Sequence, residues 1–153
     1  PVDRIGEAEM PWRRPAMSSE VIKFLKKNPL TYFATVDKDG NPHVRPIMFV
    51  LENEGRPYFA TTNKKPMYVQ IKAHPNVEIA SVDLEKKAWL RISAKVIFTD
   101  DESIKNDVYQ AHPFMKQFFK SFEDPRFEVF TLTGTAVITG CEKKPPKTYT
   151  LEG

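Results

Sequence analysis

The segment that decides the fold runs from Leu30 to Thr62, "LTYFATVDKDGNPHVRPIMFVLENEGRPYFATT". Three runs rich in aromatic and β-branched residues are separated by "DKDG" and "ENEG", short polar turns that each end in glycine. The pattern predicts three antiparallel strands in consecutive hairpins, a meander. Alternate residues of a strand share a face, so His43, Arg45, Ile47 and Phe49 point one way, and Val44, Met48 and Val50 the other.

Further along, "HPN" breaks the chain, and "VEIASVDL", "EKK" and "AWLRISAKVIF" spell another hairpin. Leu90, Ile92, Ala94, Val96 and Phe98 form an apolar face, with Trp89, Arg91, Ser93 and Lys95 on the opposite one. The first face is core; the second suits a ligand edge, a subunit interface or solvent. Toward the N-terminus, "SSEVIKFLKKNP" predicts a short helix from Ser18, with a serine cap, Glu20 in the first turn and Pro29 as a stop. Toward the C-terminus, "DDESIKNDVYQAHPFMKQFFKSF" is helical in character, with Asp100 or Asp101 as cap and Pro113 dividing it. Its Phe114, Phe118 and Phe119 suit helix core contacts or a cover over a planar ligand. "FEVFTL" and "GTAVITG" predict two last strands, and "EKKPPKTY" an extended surface tail. Six or seven strands with three or four short helices at this spacing predict a mainly β protein, a closed or partly closed barrel.

Composition bounds the function. The 153 residues suit one domain with one core. Residues 1–16, with three prolines and no period, read equally as a flexible arm, a partner-binding extension or an expression remnant, and 17–153 is expected to be the single domain. The 23 Lys and Arg against 20 Asp and Glu give a net charge of +3, far below the basic stripe of a dedicated nucleic-acid binder. The lone Cys141 permits no internal disulfide, which fits a reducing, cytoplasmic setting. No apolar run reaches the length of a membrane span or a signal peptide. His43, His74 and His112 lack close ligand spacing, so no metal is expected. Signatures of serine hydrolases, thioredoxin-like redox sites, Walker loops and Rossmann folds are absent from the sequence.

Two features break local rules. In "ATTNKKPMYVQIK", Ala60–Lys72, Lys64 and Lys65 stand where a strand ends and a helix starts. A helix start carries partial positive charge and unpaired N–H groups, so lysines there are unfavourable unless an anion joins them. Thr61, Thr62 and Asn63 would add hydroxyl and amide donors to such an anion. The alternative is that both lysines turn into water. Arg45, among apolar neighbours on its strand, wants a carboxylate or a phosphate. Pro46 beside it cannot donate to a sheet ladder and marks an edge or bulge.

Taken together, "HVRPIMFV", "YFATTNKKPMYVQIKAHPNVEIA" and "AWLRISAKVIF", in this order and spacing, resemble the pyridoxamine 5'-phosphate oxidase-like split-barrel flavoproteins, which include nitroimidazole-reductase-like members. The resemblance implies a six-stranded split β-barrel and a homodimer with FMN at the interface. It implies that Arg45 and Lys65, helped by Lys64, Thr62 and Asn63, hold the FMN phosphate. Backbone groups around Pro46, Ile47 and Met48 would meet the flavin edge, with Thr61 close by. Trp89 and Arg91 would lie near the cofactor or the partner subunit. The family's Arg- and Trp-rich C-terminal substrate segment has no counterpart in "CEKKPPKTYTLEG", so vitamin B6 oxidation is not expected.

The expected function is an FMN-dependent oxidoreductase of the flavin-reductase or nitroreductase type, passing electrons to a small planar acceptor. No catalytic side chain is assigned. The rivals are a non-enzymatic FMN electron carrier or sensor, a haem-binding barrel and, with little support from the low net charge, a single-strand nucleic-acid binder.

Overall fold

The computed structural model describes residues 15–141 and 144–151, with side chains from residue 19. Eight strands and four helices follow one another as α1 (Pro15–Lys27), β1 (Leu30–Val36), β2 (Pro42–Met48), β3 (Leu51–Asn53), β4 (Arg56–Thr62), α2 (Pro66–Ala73), β5 (Asn76–Asp83), β6 (Ala88–Thr99), α3 (Glu102–Ala111), α4 (Met115–Phe118), β7 (Phe127–Gly140) and β8 (Lys147–Leu151). The first helix begins at Pro15, three residues before the serine cap expected at Ser18. Proline is well tolerated in a first helical turn because its missing N–H would have no partner there.

The strands form an antiparallel sheet in the order β2-β1-β5-β6-β7-β4-β3, with β8 beside β7. The meander expected over Leu30–Thr62 therefore does not form. β1 and β2 make one hairpin, β3 and β4 another, and the two stand at opposite ends of the sheet path. Only Phe49 and Val50 connect them, the Phe49 N–H donating to Pro29 O at 2.8 Å and the Val50 N–H to Tyr58 O at 3.0 Å. From Met48 to Leu51 the chain can span at most about 11 Å. Two distant edges tied by so short a link force the sheet to curl until they approach, and this is what makes the architecture a split barrel.

The long strands alternate as expected. On β6, Leu90, Ile92, Ala94 and Val96 are buried, while Arg91, Ser93 and Lys95 are exposed. Inside the curl, the rings of Phe33 and Phe59 lie 5.6 Å and 5.5 Å from that of Phe130, and Val21 and Leu25 of α1 plug the same core. A second apolar cluster joins Val108 and Tyr109 of α3 and Met115 of α4 to Tyr58, Phe127 and Val129. Asp101 caps α3, its Oδ1 accepting from the Ile104 N–H at 3.1 Å.

Two expectations at the C-terminus are corrected. "FEVFTL" and "GTAVITG" belong to one 14-residue strand, β7. Its Gly134 marks a close approach, not a turn: a Cβ there would stand 2.2 Å from Ser93 O and 2.7 Å from Ala94 Cα. The tail "EKKPPKTY" is not all surface coil, because Lys147–Leu151 add a strand to β7, with Tyr149 and Leu151 buried. Glu142 and Lys143 lie outside the described residues, as do residues 1–14.

Candidate functional site

Arg45 lies on β2, at one end of the sheet path and opposite Phe33 of β1, so its side chain turns to the inner face. Its Nη1 donates to Thr35 Oγ1 at 2.7 Å and to the carbonyls of Phe33 and His43, both at 3.2 Å. Its Nη2 donates to Gln70 Oε1 at 3.0 Å, and the Thr35 hydroxyl donates to that same oxygen at 2.5 Å. Among the described residues no carboxylate pairs with Arg45, so of the two partners open to it in the sequence the carboxylate is not the one found. Burial pulls its pKa below the ordinary value, yet a guanidinium does not lose its proton in a protein. The result is a cation fixed in place by neutral acceptors, with its charge uncompensated.

Across from it, β4 runs into α2. Thr61 is 6% exposed, and its Oγ1 is buried without a hydrogen-bond partner. A buried hydroxyl without a protein partner is costly, and such groups are ordinarily completed by water or a ligand. Thr62 Oγ1 accepts from the Lys64 N–H at 3.3 Å. α2 starts with Lys65 as its cap residue, Pro66 in the first turn, no side-chain cap and no acidic residue. Lys64 and Lys65 are exposed and make no ion pair with any described residue.

These groups surround a cavity of about 810 Å³. Phe114, Phe118 and Phe119 line it, and so do, of the residues the resemblance assigned to the cofactor, Arg45, Pro46, Ile47, Met48, Thr61, Thr62, Lys64 and Lys65. Three do not. Asn63 turns its amide away, Nδ2 donating to Pro125 O at 2.7 Å and Glu128 Oε1 at 3.1 Å, which ties the end of β4 to the start of β7. Trp89 and Arg91 stand on the outer face of β6, Trp89 opposite Val82 and Arg91 paired with Glu78 at 3.2 Å. The structure also brings in residues that sequence reasoning left without a role in the site. Gln70 carried no signal, since an amide on a helix is an ordinary surface residue. Arg126 followed "DP" in a loop, and only folding sets it beside the cavity.

His43 lines the rim, its Nε2 2.9 Å from Asp37 Oδ2. The bond from His43, then the Asn41 N–H, hold the Asp37 carboxyl well below the usual carboxylate range. Among the described residues no group of three or more His, Cys, Asp and Glu is gathered for a metal ion, and no helix is long and apolar enough to cross a membrane.

A family model for pyridoxamine 5'-phosphate oxidase matches residues 17–141. The chain belongs to the pyridoxamine 5'-phosphate oxidase family. Among solved structures, a NimC/NimA family protein from Clostridium acetobutylicum is 30% identical, with a TM-score of 0.78 over 88% of this chain and 93% of that one. An FMN-binding protein related to pyridoxamine 5'-phosphate oxidase, from Nostoc punctiforme, is 15% identical, with a TM-score of 0.65 over 97% of this chain and all of the other. A heme-binding protein from Mycobacterium smegmatis is 17% identical, with a TM-score of 0.71 over 90% of this chain and 59% of its own. These last two share the fold. No curated protein matches the chain. Membership of the pyridoxamine 5'-phosphate oxidase family accords with the split barrel, although the described residues form eight strands where six were expected.

Proposed function

We propose that this cavity binds FMN and that the protein is an oxidoreductase of the flavin-reductase or nitroreductase type, delivering electrons to a small planar acceptor. The observation that carries the reading is the orphaned Thr61 hydroxyl. It is buried, it lines the cavity, and the cations and helix start beside it suit a phosphate. FMN, when bound, supplies electron-transfer chemistry that the side chains lack.

The chain's own residues place and neutralise the cofactor. Arg45, held by Thr35 and Gln70, presents a pre-positioned charge to the phosphate, and Lys64 and Lys65 add mobile ones. Thr61 and Thr62 offer hydroxyls. β2 forms no ladder on the side away from β1, so the backbone around Pro46, Ile47 and Met48 is available to the edge of the ring. Trp89 and Arg91 reach the cofactor only if a second copy of the chain supplies them. A homodimer through the outer sheet face supports that role, since Tyr32, Val44, Val82 and Trp89 are exposed there. The FMN-binding relative supports the choice of cofactor. The heme-binding relative raises the other possibility, but His43 is the one histidine among the described lining residues and its Nε2 already meets Asp37.

Equilibrium titration with FMN tests the reading. Wild-type protein should retain FMN through gel filtration, and Lys65→Ala should bind it about tenfold or more weakly, as expected for a lost charge-assisted contact. Unchanged affinity would remove Lys65 from the site, and a wild type that retains no FMN would refute the proposal. Sustained turnover with NADH or NADPH and an added acceptor separates an enzyme from an electron carrier or sensor.

A further inference from the structure

The cavity is divided by chemistry. Its cationic wall is built by β2, the end of β4 and the start of α2, and the α4 segment supplies a wall of a different kind. Phe114 is 41% exposed and Phe118 is 63% exposed, both lining the cavity, with ring centroids 6.2 Å apart in an edge-to-face arrangement. The core phenylalanines Phe33, Phe59, Phe127 and Phe130 are fully buried, and among the described phenylalanines only Phe114 and Phe118 are exposed.

The backbone beneath these rings is held rigidly. Arg126 Nη2 donates to Phe118 O at 3.1 Å, and Asp124 grips the same guanidinium at 2.7 Å and 3.0 Å. The Tyr109 hydroxyl is 3.2 Å from Phe119 O and 3.0 Å from Lys120 O. Met115, between the two exposed rings in sequence, is buried and anchors the turn in the second apolar cluster. Two aromatic plates on a fixed backbone can take up a flat ligand with little ordering of the chain.

We propose that Phe114 and Phe118 form the acceptor-recognition lip of the site and take up a flat aromatic acceptor by stacking against its ring. The lip supplies a face for ring stacking, apart from the cations of the other wall that are engaged with the cofactor's phosphate. Arg126 acts as a positioning residue: through Phe118 O it sets the angle of the lip and, being neutralised by Asp124, does not compete for the cofactor's phosphate. This rests on the FMN reading for what the acceptor meets in the cavity, but the lip is a binding surface in its own right.

Menadione, a neutral planar quinone, is a suitable probe, measured by equilibrium dialysis against the full chain with and without FMN. Wild-type protein should bind it, and Phe114→Ala with Phe118→Ala should weaken binding about tenfold, the loss expected for two aromatic contacts. FMN affinity should stay within twofold, and Phe118→Trp should restore menadione binding. In turnover, the double variant should raise KM for menadione and leave ferricyanide, which has no ring to stack, unaffected. Equal binding of menadione by wild type and double variant, or none by wild type, would overturn the proposal. A wild type that binds menadione through the lip but retains no FMN would leave the lip standing and sink the cofactor reading instead. Both replaced rings are exposed, so the variants should fold, and thermal melting checks this.

Discussion

At the scale of single residues, Thr61 sets stability against binding. Its hydroxyl is buried and unpartnered in the free protein, so Thr61→Val removes a polar group whose burial nothing offsets. Chemical denaturation should show the variant as stable as wild type or more so, by about 1 kcal/mol. FMN affinity should fall about fivefold, the value of one net hydrogen bond. A joint loss of stability and affinity would mean that the hydroxyl is structural. Arg45 behaves differently, because its four acceptors belong to β1, β2 and α2. Replacing it by alanine would weaken the fold as well as the site, which is why Lys65 is the cleaner probe. Arg45, Lys64 and Lys65 were legible as breaches of local rules in the sequence. Gln70 was not, since its role arises only from the docking of α2 beside β1 and β2.

At the scale of elements, α1 is fastened to the end of β5 by Lys27, whose Nζ lies 3.1 Å from Asp83 Oδ2. Asp83 is depressed below the usual carboxylate range, chiefly by the Lys86 N–H, with Lys27 contributing; Lys27 is raised, chiefly by Asp83. A depressed carboxyl stabilises the fold above its unfolded pKa, and that contribution is lost as pH falls through the folded value. A raised ammonium stabilises below its unfolded pKa, with the loss coming as pH rises through the folded value. Between about pH 4 and 10 the pair is therefore fully effective. Urea midpoints of wild type and Asp83→Asn should differ at pH 7 and converge toward pH 2. On β7, Gly134→Ala would set a methyl against the β6 backbone, at a cost of about 1–3 kcal/mol as overpacking. A Tm equal to wild type would show that the two strands separate at this point without penalty. The sequence placed β6 with the correct face but divided β7 into two strands ahead of Gly134, because a glycine between two β runs looks the same whether it separates them or admits a neighbouring strand.

At the scale of the molecule, the outer sheet face carries Tyr32, Val44, Val82 and Trp89 in the open, which supports the proposed dimer. Sedimentation velocity should give twice the monomer mass for wild type, and Trp89→Asp should shift it toward monomer while weakening FMN binding. A monomeric wild type that still binds FMN would confine the site to one chain. The sequence by itself determined the helices, most of the strands, the inward and outward faces, and a join between β4 and α2 at which two lysines break the local charge rule. These are local properties: side-chain period, capping, turn chemistry and misplaced charge are written within a few residues of where they act. The tertiary structure alone decided that β2 and β4 part across Phe49 and Val50, that β7 runs unbroken, that Lys147–Leu151 pair with it, and that α4 stands at the mouth of the cavity. Strand order and the walls of a cavity depend on contacts between residues far apart in the chain, and those are settled by burying one shared core, which no local pattern records.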